Sequence, residues 1–209
     1  MRLVDLLLLQ PVKSRLVRML ILFEVFQYIW EQKRNGKFED EDIVVLPETI
    51  IGRMYPTTVK RWERFLVPFI QNGTIFIVGG EIPTNQGRKY DNVMVSFEYE
   101  GKRQIAKQRF PVPFSMYRPF SGDGANAYLF SLGDISIMEV NGVKLGFLIC
   151  YEQFLTWPFL SLLSQKPDVI IAPANLWWCR DTSLLGIQAA AIRLWTNLFC
   201  IPLLAAINL

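Results

Sequence analysis

Apolar residues follow two alternating patterns along the chain. Short apolar runs, such as 43–46 and 74–78, are bounded by proline, glycine or charged residues and are typical of strands buried on both faces. Elsewhere, as at 14–34 and 59–71, apolar positions recur at helical spacing with charged positions between them. Strands that alternate with helices along one chain predict an α/β (α+β) layered architecture.

The whole pattern predicts a series of strands and helices with two hairpins. Asn141-Gly142 is a strong two-residue turn signal between two strands, and Glu100-Gly101 joins another pair. The predicted strands are 6–9, 43–46, 74–78, 92–98, 103–107, 135–140, 143–149, 169–172 and 202–207, and the predicted helices are 14–34, 59–71, 154–164 and 184–198. Neither a repeat nor a low-complexity linker interrupts them, which predicts a single domain over 1–209.

Composition narrows the classes of function. The 209 residues are 51% hydrophobic, which is enough to bury a core. The net charge is only +3 and no basic cluster occurs, which argues against a nucleic-acid partner. The chain contains no histidine, and this excludes Ser-His-Asp triads, Cys-His dyads and HExxH zinc sites. Its three widely spaced cysteines predict neither a disulfide framework nor a zinc cluster, so no metal is expected.

The hydrophobic pattern also bears on membrane association. No apolar run is long enough to cross a bilayer, so no membrane-spanning helix is predicted. The first apolar run is interrupted by Asp5 and no small-residue cleavage site follows, so no signal peptide is predicted either. By itself, the chain is therefore expected in the cytoplasm or against a membrane surface.

Three side chains that could take part in catalysis, a thiol, a carboxyl and an ammonium, follow predicted strands. Cys150 lies between a very apolar strand and a helix, and such a turn is a common position for a nucleophile. Glu48 follows the run 43–46, where partial burial raises the pKa of a carboxyl and suits it to act as a base. Lys107 ends the strand 103–107. Taken singly, each has a plainer interpretation: a small buried thiol, a solvated loop carboxylate and a surface ammonium.

Together, the three residues resemble the signature of the nitrilase (carbon–nitrogen hydrolase) superfamily. Members of that superfamily carry a Glu-Lys-Cys triad, and each triad residue follows a strand of an α-β-β-α sandwich. The strings Leu-Pro-Glu at Glu48, Val-Pro-Phe after Lys107 and Ile-Cys-Tyr-Glu at Cys150 are similar to its local motifs. The resemblance spans 6–209 and implies a four-layer sandwich, catalytic roles for Glu48, Lys107 and Cys150, and no cofactor.

Two branches of the superfamily are the most similar. Ile-Cys-Tyr-Glu at Cys150 and the string Asn-Leu-Trp-Trp that begins at Asn175 resemble the apolipoprotein N-acyltransferase branch. The string from Lys107 onward and the ending Ala-Ile-Asn-Leu resemble TraB-type conjugal transfer proteins. The resemblance implies a small-molecule or acyl-chain substrate and conjugation-system proteins as partners. The residues expected to contact substrate are Glu152, Asn175, Trp177 and Trp178.

The sequence departs from the superfamily pattern at two places. Met116 occupies the position of a second glutamate, and one residue is inserted between Lys107 and Val112. The chain also ends at Leu209, before the last strands of the family, and an uncovered sheet edge favours a homodimer. The acyltransferase branch adds membrane helices before the domain. With that parent architecture the expected location is the periplasmic face of the inner membrane, and otherwise it is the cytoplasm.

Two hypotheses of different class follow from these observations. In the first, the protein is an acyl-transferring or hydrolytic enzyme that forms a thioester on Cys150, and the pKa of this thiol is expected below its ordinary value. In the second, it is a structural or binding component of the conjugation machinery that keeps the fold with weakened chemistry. Met116 and the short C-terminus favour the second hypothesis, and retention of all three triad residues favours the first.

Overall fold

The computed structural model describes residues 3–5, 15–37, 39–40, 42–127, 136–179 and 181–208. The predicted strand 6–9 lies outside these residues. The strands are β1 Leu3–Asp5, β2 Ile43–Val45, β3 Ile75–Thr84, β4 Lys89–Phe97, β5 Ile105–Lys107, β6 Gly124–Ala125, β7 Ile137–Val140, β8 Val143–Phe147, β9 Val169–Asn175 and β10 Leu203–Asn208. The helices are α1 Arg15–Arg34, α2 Pro56–Ile70, α3 Thr156–Leu163 and α4 Leu184–Leu198.

These strands form two sheets. In the first sheet the order is β1-β2-β3-β4-β5, with β6 beside β4. The pairs β1–β2 and β2–β3 are parallel, and β4 runs antiparallel to both β3 and β5. In the second sheet the order is β10-β9-β8-β7, and only the hairpin partner β7 is antiparallel. Asn141 and Gly142 turn this hairpin with φ of 51° and 78°, as the Asn-Gly signal predicts.

Alternate side chains of the buried strands point into two different cores. Ile43 and Val45 of β2 pack between the two sheets, whereas Val44 and Leu46 pack against the side that carries α1 and α2. The core between the sheets also contains Ile77, Met94, Ala106, Phe147, Ile149, Ile171 and Ala206. Because both faces of β2 are covered, its sequence is a continuous apolar run rather than an alternating one.

The outer face of the second sheet is covered by α3 and α4. Phe159 and Leu162 of α3 and Ile192 of α4 pack on Ile170 and Ala172 of β9. The order of layers is therefore helix, sheet, sheet, helix, which confirms the predicted α-β-β-α sandwich. In this arrangement β2 and β8 lie in different sheets, and the residues that follow them meet across the inter-sheet core.

The largest difference from the predicted elements is the length of β3. The sequence pattern ended this strand at Val78 because two glycines follow, but the strand continues through Gly79 and Gly80 to Thr84. A Cβ atom on Gly79 would lie 2.4 Å from the carbonyl oxygen of Pro47 and 2.6 Å from the Cα atom of Glu48. The glycine is therefore required so that the segment after β2 can lie directly against β3.

We expect Gly79→Ala to lower the free energy of unfolding by about 1–3 kcal/mol, because the new methyl group would overlap backbone atoms that cannot rotate away. Urea unfolding monitored by circular dichroism measures this change. Gly122→Ala is the matched control, since a Cβ atom there meets nothing within 4 Å. Equal stability of the two variants would show that the segment around Glu48 is not held tightly against β3.

Candidate active site

Cys150 lies at a strained turn directly after β8. It is the first residue of a short 3₁₀ helix, Cys150–Phe154, and only 7% of its surface is exposed. Its φ of 52° falls in the left-handed region, which residues with a Cβ atom rarely adopt. The side-chain amide of Gln188 on α4 donates to the carbonyl oxygen of Cys150 at 3.3 Å and supports the turn. Strained backbone of this kind is concentrated at functional sites.

Glu48 meets Cys150 across the two sheets. Glu48 is 3% exposed, and its carboxyl lies close enough to the Cys150 thiol for each group to affect the pKa of the other. Its Oε1 atom accepts from Nδ2 of Asn92 at 2.5 Å, and its Oε2 atom accepts from the backbone N–H of Asn175 at 3.0 Å. The structure thus brings two of the three predicted triad residues into direct contact.

The pKa of the Cys150 thiol differs from the value expected from the sequence. Burial raises the pKa of Glu48 to about 7, against the hydrogen bonds from Cys150, Asn92 and Asn175. Burial, followed by the charge of Glu48, also raises the pKa of the Cys150 thiol well above its ordinary value. The expectation of a lowered thiol pKa is therefore wrong for the resting site, because the thiol is buried and the group beside it is a carboxyl. Cys150 is a neutral thiol at pH 7.

Lys107 ends β5 at the rim of the first sheet. Its Nζ atom donates to Oδ2 of Asp91 at 2.9 Å, and 39% of its side chain is exposed. Lys107 pairs across the strands with Val93, which belongs to the core on the α1–α2 side of the sheet. Ala106, the residue before Lys107, belongs instead to the core between the two sheets. A direct role for this ammonium at Cys150 stays a prediction.

Gln108, which the sequence analysis did not single out, reaches the centre of the site. It is 1% exposed, and its Oε1 atom accepts from Nδ2 of Asn92 at 2.8 Å. Its Nε2 atom donates to the carbonyl oxygen of Ile149, the residue before Cys150, at 3.0 Å. The local sequence pattern does not distinguish Gln108 from Lys107, because the two residues are adjacent at the end of the three-residue strand β5.

The environment of Glu152 differs from the one expected of a substrate-binding residue, because its carboxyl is buried and bonded to the backbone. Its carboxyl is fully buried and accepts backbone N–H groups of Arg109 at 2.8 Å, Phe110 at 3.2 Å and Ile149 at 2.9 Å. Burial raises its pKa, and the charge of Arg109 opposes that shift. These contacts join the segment after β5 to the turn at Cys150. We therefore interpret Glu152 as a positioning residue rather than as a substrate contact.

The chain is similar in sequence to two known proteins. No family model matches the chain. A probable conjugal transfer protein TraB of Sinorhizobium fredii is 35% identical over 170 residues, which is 79% of this chain and 42% of that protein. The conjugal transfer protein TraB of Agrobacterium fabrum is 33% identical over 171 residues, which is 79% of this chain and 39% of that protein. The chain thus spans about two fifths of the length of these relatives.

Solved structures show the same fold. A carbon–nitrogen hydrolase from Helicobacter pylori has a TM-score of 0.71 at 14% identity, over 99% of this chain and 72% of that one. A nitrilase-superfamily amidase from Nesterenkonia sp. has a TM-score of 0.64 at 14% identity, over 99% of this chain and 77% of that one. The chain has the nitrilase-superfamily fold. The predicted similarity of the fold to nitrilase-superfamily structures, and of the sequence to TraB-type conjugal transfer proteins, is thereby confirmed.

The remaining predicted substrate residues lie where β9 of this nitrilase-superfamily fold ends. Asn175 donates from Nδ2 to Oγ1 of Thr49 at 2.8 Å, so its amide is bound within the protein. Trp177 and Trp178 follow in a 3₁₀ turn, with 38% and 60% of their surfaces exposed. Nε1 of Trp178 donates to the carbonyl oxygen of Asn175 at 3.1 Å. Substrate contact by the two tryptophans stays a prediction.

In the described residues, no three His, Cys, Asp or Glu side chains cluster to hold a metal. None of the helices described here is both long and apolar enough to cross a bilayer. A cavity of about 210 Å³ lies between α2 and the β4–β5 turn, where Phe97 and Arg103 line it, and none of the predicted site residues contributes to it.

Proposed function

We propose that this domain is a cysteine-dependent enzyme that cleaves or transfers acyl groups at carbon–nitrogen bonds, with Cys150 as nucleophile and Glu48 as general base. The placement of the buried Glu48 carboxyl beside the thiol at the strained Cys150 turn carries this proposal. A nucleophile held against its base, at the end of a strand, is the arrangement that covalent catalysis requires. The fold of carbon–nitrogen hydrolases supports the reaction class.

The proposed reaction proceeds through a thioester. Ionised Glu48 takes the thiol proton of Cys150 while the sulfur attacks the carbonyl carbon of an amide. The carbonyl oxygen becomes an oxyanion, and the backbone N–H of Tyr151, the residue that follows the nucleophile, would donate to it. Glu48 then gives its proton to the nitrogen as the carbon–nitrogen bond breaks. Water or a second amine finally attacks the thioester and restores the thiol.

The substrate and the cellular role are proposed from different observations. The exposed faces of Trp177 and Trp178, at the strand edge that carries Asn175, would contact a small amide or an acyl chain. Relatives named for conjugal transfer support a role beside proteins of a conjugation system. Lys107, paired with Asp91 at the rim, would act on the site through its charge.

A specific observation also favours the second hypothesis, a binding module with weakened chemistry. The thiol is neutral at rest, and the two polar side chains that link Glu48 to Ile149, those of Asn92 and Gln108, are uncharged amides. A neutral thiol reacts far more slowly than a thiolate unless the base removes its proton during attack. The two functions therefore differ in whether Glu48 performs this step.

Hydroxylamine trapping of an acyl intermediate tests the proposed function. The folded protein is incubated with short aliphatic amides and hydroxylamine, and released ammonia and hydroxamate are measured. We expect both products from the unsubstituted protein and from Cys200→Ala, because Cys200 is exposed and distant in the chain from the site. Neither product is expected from Cys150→Ala. Absence of both products from the folded, unsubstituted protein across the amide panel would favour the binding module.

A further inference from the structure

A chain of hydrogen bonds between amides connects the proposed base with the turn that carries the nucleophile. Nδ2 of Asn92 donates both to Oε1 of Glu48 at 2.5 Å and to Oε1 of Gln108 at 2.8 Å. Nε2 of Gln108 then donates to the carbonyl oxygen of Ile149 at 3.0 Å. The chain passes from the first sheet to the second, and all three side chains are at most 3% exposed.

Gln108 accepts a hydrogen bond from the same Asn92 amino group that donates to Glu48. The amino group of Asn92 lies between two acceptor oxygens, while its Oδ1 atom has no hydrogen-bond partner in the part of the chain that the structure describes. The amide is thus oriented by its donors alone. If the Gln108 acceptor is lost, Asn92 can rotate and place its own oxygen toward the carboxylate. The donor that stabilises ionised Glu48 would then be lost.

Gln108 also fixes the position of the nucleophile turn. Its backbone N–H donates to the carbonyl oxygen of Asn92 at 2.8 Å, so it is held in the pairing of β4 with the end of β5. From this fixed position its side chain holds the carbonyl group of Ile149, immediately before the strained Cys150. One buried side chain therefore contacts both the group that orients the base and the backbone that presents the thiol.

We propose that Gln108 is the positioning residue of the Glu48–Cys150 pair and that an uncharged amide, rather than the ammonium of Lys107, is the third polar group at its centre. The inference rests on the proposed function, because it concerns the same thiol and base. It differs from the triad that the superfamily resemblance implies, in which a lysine occupies this place.

The test is the pH profile of iodoacetamide alkylation of Cys150, followed by peptide mass spectrometry on the full chain. Alkylation of the unsubstituted protein is expected to rise with pH through a midpoint near that of Glu48, about 7. Gln108→Glu keeps the length of the side chain and adds a second carboxyl beside Asn92. Two carboxyls that share a site raise each other's pKa, so the midpoint is expected to rise by about one pH unit or more.

Three further variants make the result specific. Gln108→Met removes both hydrogen bonds without adding charge, and we expect a higher midpoint together with slower alkylation. Gln71→Glu makes the same charge change at an exposed site and is expected to leave the midpoint unchanged. Lys107→Gln also lowers the net charge by one, and its shift is expected to be smaller than that of Gln108→Glu.

The outcomes separate this inference from the proposed function. A larger midpoint shift in Lys107→Gln than in Gln108→Glu would overturn the inference and assign the third place to lysine, with the Glu48–Cys150 pair intact. An unchanged midpoint in both Gln108 variants would show that Gln108 is only structural, which also overturns it. If Gln108→Met does not fold, Gln108→Glu decides alone. A wild-type profile without a midpoint near 7 would reject the Glu48–Cys150 pair itself.

Discussion

Cys150→Ala is expected to abolish turnover of amides, with a fall in hydroxamate formation of about 10⁴-fold or more, because no other group can form the acyl intermediate. Cys150→Gly should be equally inactive. The two variants differ in stability, since alanine keeps the strain of a φ of 52° and glycine relieves it. We expect Cys150→Gly to be the more stable of the two by about 1 kcal/mol in urea unfolding.

A second measurement distinguishes a functional thiol from a merely accessible one. Cys200 is exposed, whereas Cys150 is buried and has a raised pKa, so ordinary reactivity favours Cys200. An amide-shaped reagent such as acrylamide should nevertheless modify Cys150 first, if the site binds amides and Glu48 removes the proton. Intact-mass and peptide analysis give the order of modification. Modification of Cys200 before Cys150, with equal stability of the alanine and glycine variants, would contradict both the nucleophile and the strain.

The order of the layers and two of the three proposed site residues, Glu48 and Cys150, could be predicted from the sequence and its resemblance to a known superfamily. A strand buried on both faces, such as β2, must be a continuous apolar run, and polar residues directly after such strands meet where the two sheets face each other. Glu48 and Cys150 follow β2 and β8 in this way, and the structure joins them. Local pattern placed each residue after its strand, and the resemblance to nitrilase-superfamily motifs supplied the four layers and the expectation that the two residues meet.

The third residue could not be predicted in the same way, because it depends on register. Lys107 and Gln108 are adjacent, and adjacent residues of a strand face opposite sides of the sheet. Which of them reaches the site is decided by the pairing of β5 with β4, where Val93 lies opposite Lys107. The strand is only three residues long, so its own hydrophobic pattern does not fix that register. The full length of β3 was missed for a related reason, since the sequence does not show which backbone a glycine approaches.

Glu48→Gln is expected to reduce turnover by about 10²- to 10⁴-fold, the usual contribution of a general base. Glutamine can still accept a hydrogen bond from Asn92, but it cannot remove the thiol proton. The residual rate should also lose the rise through pH 7 that ionisation of Glu48 confers on the unsubstituted protein. Glu100→Gln, at an exposed position of the β4–β5 turn, is the matched control and should keep both rate and pH profile. A retained midpoint near pH 7 in Glu48→Gln would assign the ionisation to another group.

The same carboxyl should make the protein less stable as the pH rises. The pKa of Glu48 is about 7 in the folded protein and near 4.5 when unfolded, so between these values the folded state binds more protons. Stability due to this group is therefore greatest below pH 4.5, falls between pH 4.5 and 7, and is constant above. The total loss is about 3 kcal/mol, and Glu48→Gln should not show it. Urea unfolding of both proteins at several pH values measures the difference, and parallel stability curves would show that burial of Glu48 does not favour its protonated form.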